Sequence, residues 1–129
     1  MINHYIITHS LDPHLSTCIA SLIKSTALKQ KIIIVYNGRR TLASEKKLVL
    51  LRSIEGLEIF YVGFNAFTFG VQRAMKKFQH PDHPYFIVSD GDFLFPPLSS
   101  GDWLSEFIYF MDKFPMIGRT GLGLNLSNL

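Results

Sequence analysis

Asp90-Gly91-Asp92 sets two carboxylates one residue apart, directly after the apolar run Tyr85-Phe86-Ile87-Val88-Ser89. Two hard oxygen ligands flanking a small residue suit Mg2+ or Mn2+, cations that keep several waters and complete their shell with substrate phosphates. Such an ion neutralises charge building on a departing diphosphate and acts as a Lewis acid. Ser, Asp and Gly are also common turn residues, so on composition alone the tetrapeptide 89–92 reads equally as a simple turn. Which reading holds depends on the elements that carry it.

Residues 5–8 form a short β-branched run, and Asp12-Pro13 after it offers an N-cap acceptor followed by a proline at the first helical position. Leu15, Ile19, Leu22 and Ile23 recur at helical spacing, and residues 31–36 read as a strand buried on both faces. Asn37-Gly38 ends that strand in a sharp turn. Ser44 or Thr41 can cap a second helix carrying Leu48, Leu51 and Ile54, which stops at Gly56 before a third strand over 57–62. Thr68 can cap a third helix whose Val71, Ala74, Met75 and Phe78 share a face, and the prolines at 81 and 84 end it. The fourth strand, 85–89, is the most apolar in the chain and is expected to be buried. After Pro96-Pro97, Ser99 with Asp102 resembles a capping box for a helix in which Leu104, Phe107, Ile108 and Met111 align, and residues 116–126 are expected to contain a further strand. This alternation predicts an α/β fold: a mainly parallel sheet flanked by helices on both faces, with ligands at the carboxyl ends of the strands.

The 129 residues suit one domain, 1–129, and 47% apolar against 18% charged side chains argues for a packed core over disorder. The net charge of +3 suits an anionic ligand, but Lys and Arg are dispersed without interleaved aromatics, so no nucleic-acid groove is expected. The single cysteine, Cys18, sits among Leu15, Ile19 and Leu22 and reads as a buried structural thiol. No apolar stretch approaches the roughly 18 residues that span a bilayer, and the amino terminus matches no secretory signal, so the expected compartment is the cytoplasm.

Residues 85–96, with an apolar strand, Asp90-Gly91-Asp92 and the following proline, resemble the GT-A glycosyltransferases, especially the family-two type, whose metal-binding Asp-x-Asp follows the fourth parallel strand. Residues 121–126 resemble a later glycine-containing strand of that family, and the likeness in motif order spans nearly the whole chain. It implies a nucleotide diphosphate sugar donor, an acceptor of unknown identity, and Asp90 and Asp92 as ligands to Mn2+ or Mg2+. It places nucleotide contacts at Thr8 and His9, in the segment Thr8-His9-Ser10, and at Asn65, Gly70 and Arg73, where a helix start and an arginine face the nucleotide. At the end of strand two the family carries a base-binding aspartate. Here Tyr36 and Asn37 stand instead, and either could substitute.

Other residues divide between chemistry and structure. Asn65 also reads as a turn residue and Arg73 as a solvated helix residue. Arg39-Arg40 follow the second strand and could meet phosphate, or be loop charges in water. His80 and His83 invite a metal, yet Pro81 and Pro84 oppose helical presentation and favour a surface connection. A haloacid-dehalogenase phosphatase also uses Asp-x-Asp, but after its first strand. Residues 118–123 do not spell G-x-G-x-x-G, and no P-loop pattern exists. The resemblance further implies an acceptor-binding portion and, in inverting members, a carboxylate base beyond the acidic motif. Both are expected to be missing from residues 93–129, where Asp102 and Glu106 fit the first turn of a helix. The alternative is therefore a non-catalytic nucleotide- and metal-binding module that a partner chain completes, with exposed surface favouring a homo-oligomer.

Overall fold

The computed structural model describes residues 1–9, 11, 13–78, 83–92 and 94–122. Among these residues four strands alternate with four helices: β1 Ile2–Thr8, α1 Pro13–Ile23, β2 Gln30–Tyr36, α2 Leu42–Leu48, β3 Leu57–Tyr61, α3 Phe69–Phe78, β4 Phe86–Asp90 and α4 Trp103–Lys113. Single 3-10 turns lie at Leu51–Ser53 and Leu98–Ser100. The strands form one all-parallel sheet in the order β3-β2-β1-β4. The α/β fold expected from the sequence is therefore the one observed.

Side chains alternate across a strand, so each strand feeds two cores. Ile2 and Ile6 of β1 and Ile32 and Ile34 of β2 face a cluster completed by Leu15, Ile19 and Leu22 of α1, Leu48 of α2, and Trp103 and Leu104 of α4. Tyr5, Ile33 and Val35 face the other way, against Val71 and Ala74 of α3. Helices thus cover both faces, three on one and one on the other. Each fully buried aliphatic chain in these layers is worth about 1.5–3 kcal/mol of transfer free energy, so β1 and β2, apolar on both sides, anchor the sheet. Cys18 lies in the first cluster, as its helical position predicted.

Local chemistry sets most element ends. Proline at the first position of α1 has no N–H to leave unsatisfied; Asp12, its expected cap, lies outside the described residues. Thr41 caps α2, and Ser44 reciprocates by accepting from the Thr41 N–H, so both sequence candidates belong to one capping box. The α4 start differs from expectation. Asp102, not Ser99, is its N-cap, accepting from Ser105 N–H, while Ser99 lies in the preceding 3-10 turn.

Two further expectations are corrected. Among the described residues β4 is an edge strand, not a buried one: Phe86 and Val88 are 54% and 45% exposed, on the face where α3 packs against β1 and β2. An apolar run alone cannot distinguish a central strand from an edge beside a groove. That groove, about 1340 Å3, runs along β4 past Phe95, Trp103 and Phe107 to residues 119–122. Residues 116–122 form no strand; 123–126, the rest of that expectation, lie outside the described residues. Among the described residues no helix is long and apolar enough to cross a membrane.

Candidate functional site at the carboxyl edge of the sheet

The carboxyl ends of three strands come level. Ile7 pairs with Val35 on one side and Asp90 on the other, and Thr8 pairs with Tyr36. The Asn37 N–H then donates to the Thr8 carbonyl at 2.7 Å. With neighbouring strands about 4.8 Å apart, the ends of β2 and β4 are separated by roughly 10 Å. Thr8, Tyr36, Asn37 and Asp90 therefore share one edge, with His9 exposed just beyond β1. Ser10 lies outside the described residues.

Asp90 and Asp92 are both exposed, while Gly91 between them is buried. A Cβ at Gly91 would come within 2.9 Å of Leu15 Cδ1 and 3.4 Å of Ile6 Cγ2. The space this glycine creates is thus occupied by α1, and the motif passes beneath that helix. Cys18 Sγ lies 3.9 Å from the Asp90 carbonyl oxygen, a second tie to α1. The described residues contain no group of three or more His, Cys, Asp or Glu able to hold a metal. Two exposed carboxylates nevertheless fit a hard divalent ion that takes its remaining ligands from phosphate and water. Asp90 and Asp92 are the residues that would hold it.

Asn37 is 4% exposed. Its amide Nδ2 donates to the Phe67 carbonyl at 2.9 Å, and its Oδ1 has no hydrogen-bond partner. That oxygen faces Gly70, where an added Cβ would sit 2.5 Å from it. Asn37 therefore ties the loop after β3 to the end of β2 and makes glycine necessary at 70. Asn65 is exposed and its Oδ1 accepts from Phe67 N–H at 3.2 Å, a side-chain turn. Both asparagines converge on Phe67, whose φ of 49° is left-handed. That conformation costs a residue with a Cβ about 1–2 kcal/mol. Arg73 is exposed on α3. The Tyr36 ring lies over Gly38, whose absent Cβ would be 2.4 Å from the ring, and meets Tyr61 edge-on at 6.0 Å.

Three expectations resolve into structural roles. Arg40 Nε donates to Glu45 Oε1 at 2.8 Å and its guanidinium lies 5.1 Å over the Tyr61 ring, while Arg39 stays exposed. His83 Nδ1 accepts from the Tyr85 N–H at 3.1 Å in a tight connection; His80 lies outside the described residues. Asp102 accepts from Ala27 N–H at 2.9 Å as well as capping α4. Partial burial pushes its pKa up, but hydrogen bonds from Thr26 and the Ala27, Ser105 and Leu104 amides outweigh burial and leave it lowered.

Two polar clusters were not anticipated from the sequence. Glu45 accepts from the Tyr61 hydroxyl, Arg40 and Arg52, and the Tyr61 hydrogen bond, more than either guanidinium, holds its carboxyl below the usual range. Fully buried His4 bridges Gln30 Oε1 at 2.8 Å through Nδ1 and Ser89 Oγ at 2.7 Å through Nε2. The glutamine oxygen only accepts, so Nδ1 carries the proton and Nε2 accepts from Ser89. Burial pushes this imidazole down to about 4, and the Gln30 bond only partly opposes it. The clue to both lay in polar residues inside apolar segments, His4 in β1 and Tyr61 at the end of β3. Their partners are set by tertiary packing. No family model, curated protein or solved structure matches this chain, so any functional conclusion rests on its own residues.

Proposed function

We propose that this chain binds a nucleotide diphosphate sugar at the carboxyl edge of its sheet, with Asp90 and Asp92 holding Mn2+ or Mg2+ on the diphosphate, as the donor-binding part of a glycosyltransferase. The observation that supports this most is the register: Asp90 ends β4 paired with Ile7, one residue before the Thr8–Tyr36 pair, at the place where parallel α/β sheets take ligands. When bound, the metal supplies Lewis-acid stabilisation of the departing nucleotide diphosphate. Thr8, His9 and Tyr36 line the same edge for the nucleoside. Arg73, exposed on α3, supplies a cation on the face of the sheet that this helix covers.

One observation favours a second reading, a nucleotide- and metal-binding module completed by a partner chain. Both carboxylates weighed beyond the motif stand at the start of α4, Asp102 as its N-cap and Glu106 in its first turn. Among the described residues β4 is also an open edge beside an apolar groove. Calorimetric titration with nucleoside diphosphates, with and without Mn2+, followed by a sugar-transfer assay, separates the readings. Metal-dependent binding with turnover supports the enzyme, and metal-dependent binding without turnover supports the module. Absent or metal-independent binding overturns both.

A further inference from the structure

Phe67 lies in the loop between β3 and α3, at the same edge as Asp90, with its side chain 71% exposed. Its backbone is left-handed, a conformation that glycine adopts freely and phenylalanine rarely does. Three residues hold it there. Asn37 donates to its carbonyl from the end of β2, Asn65 accepts from its N–H, and Gly70 leaves room for the Asn37 side chain. An exposed ring in a strained, doubly tethered loop serves no packing purpose for this domain. Strain of this kind persists where surroundings over-determine it, as ligand clamps do.

We infer that Phe67 is the stacking surface for the base of the bound nucleotide, with Asn37, Asn65 and Gly70 as its positioning residues; this rests on the nucleotide reading above. The tether at the end of β2 and the carboxylates at the end of β4 stand two strand spacings apart, so base and diphosphate would be gripped at separate points. Asn37 donates its amide to the Phe67 carbonyl and buries its oxygen against Gly70, which leaves recognition to the ring face. A ring face accepts any base, so this site is predicted to be tolerant of base identity.

The test is calorimetric titration of wild type, Phe67→Ala, Phe67→Gly and Phe67→Trp with UDP, ADP and inorganic pyrophosphate in Mn2+. Loss of stacking should weaken both nucleotides by about fivefold or more in the Ala and Gly variants, with pyrophosphate affinity unchanged and the Trp variant close to wild type. Phe67→Gly should also raise the unfolding midpoint by roughly 2–6 °C, because glycine accepts the positive φ without strain. A variant that is more stable yet binds nucleotide more weakly cannot be explained by misfolding. Nucleotide affinities unchanged in the Ala and Gly variants overturn the stacking role and leave the metal site standing. Wild type that binds none of the three probes overturns the nucleotide reading along with it.

Discussion

β2 and β4 carry similar apolar runs, Lys31-Ile32-Ile33-Ile34-Val35-Tyr36 and Tyr85-Phe86-Ile87-Val88-Ser89, yet the fold uses them in opposite ways. β2 lies between β1 and β3 with its four central side chains buried, while β4 has one neighbour among the described residues and exposes Phe86, Val88 and Asp90. The strand that holds the sheet together carries no candidate metal ligand. The strand that carries Asp90 is held by pairing with β1, by the Ser89 hydroxyl and by the Cys18 contact to the Asp90 carbonyl. Rigidity at the candidate site is therefore borrowed from β1 and α1.

The largest test of that contrast is a cavity in β2. Ile34→Ala should cost about 2–5 kcal/mol in chemical denaturation, as for a fully buried isoleucine. A cost below 1 kcal/mol would mean that β2 is not the anchor.

Acid should loosen the two strands unequally. His4 has a folded pKa of about 4 against 6.5 unfolded, so the unfolded chain binds the proton first. Stability is then lost as pH falls from about 6.5 towards 4, by up to about 3 kcal/mol from this group. Below that range His4 adds no further loss. His4→Gln should flatten that limb of the pH profile. Amide exchange should rise in β4 before it rises in β2, and equal loss of protection would break the proposed dependence of β4 on His4.

At the site itself, Asp90→Asn and Asp92→Asn should each weaken Mn2+-dependent nucleoside diphosphate binding by at least about tenfold, the scale seen when even an outer partner of a metal site is removed. Melting temperature without metal should change little, because both side chains are exposed. Unchanged metal-dependent affinity in both variants would remove the pair from the site. The smallest effect belongs to the edge: Val88→Ala should cost no more than about 1 kcal/mol, since nearly half of that side chain is in water.

Local signals carried well from the sequence. Pro13, Thr41 with Ser44, and the Asn37-Gly38 turn fixed where elements begin and end, because capping and turn chemistry act over a few residues. The apolar stripes of α1 and α3 likewise named their buried faces, except that Ile23 at the end of α1 is half exposed. What failed was neighbourhood. Nothing in Phe86-Ile87-Val88 states whether one strand or two will lie beside it. Asn37 reads as a turn residue until Phe67, thirty positions later, folds back to receive its amide. The Phe67 φ and the His4 bridge to Gln30 and Ser89 have the same non-local origin.

That bridge also sets the reading frame of β4. A strand with a single neighbour has only one ladder to resist slippage, and a slip of one residue turns every side chain to the opposite face. Moved one place in either direction, β4 would bring Val88 or Asp90 to the buried His4 Nε2 in place of the serine hydroxyl. The first leaves an acceptor without a donor, and the second sets a carboxylate against an acceptor nitrogen away from water. A neutral histidine deep in the sheet thus acts as a proofreading device for assembly: it penalises a slip of one residue to either side of the register that brings Asp90 to the edge.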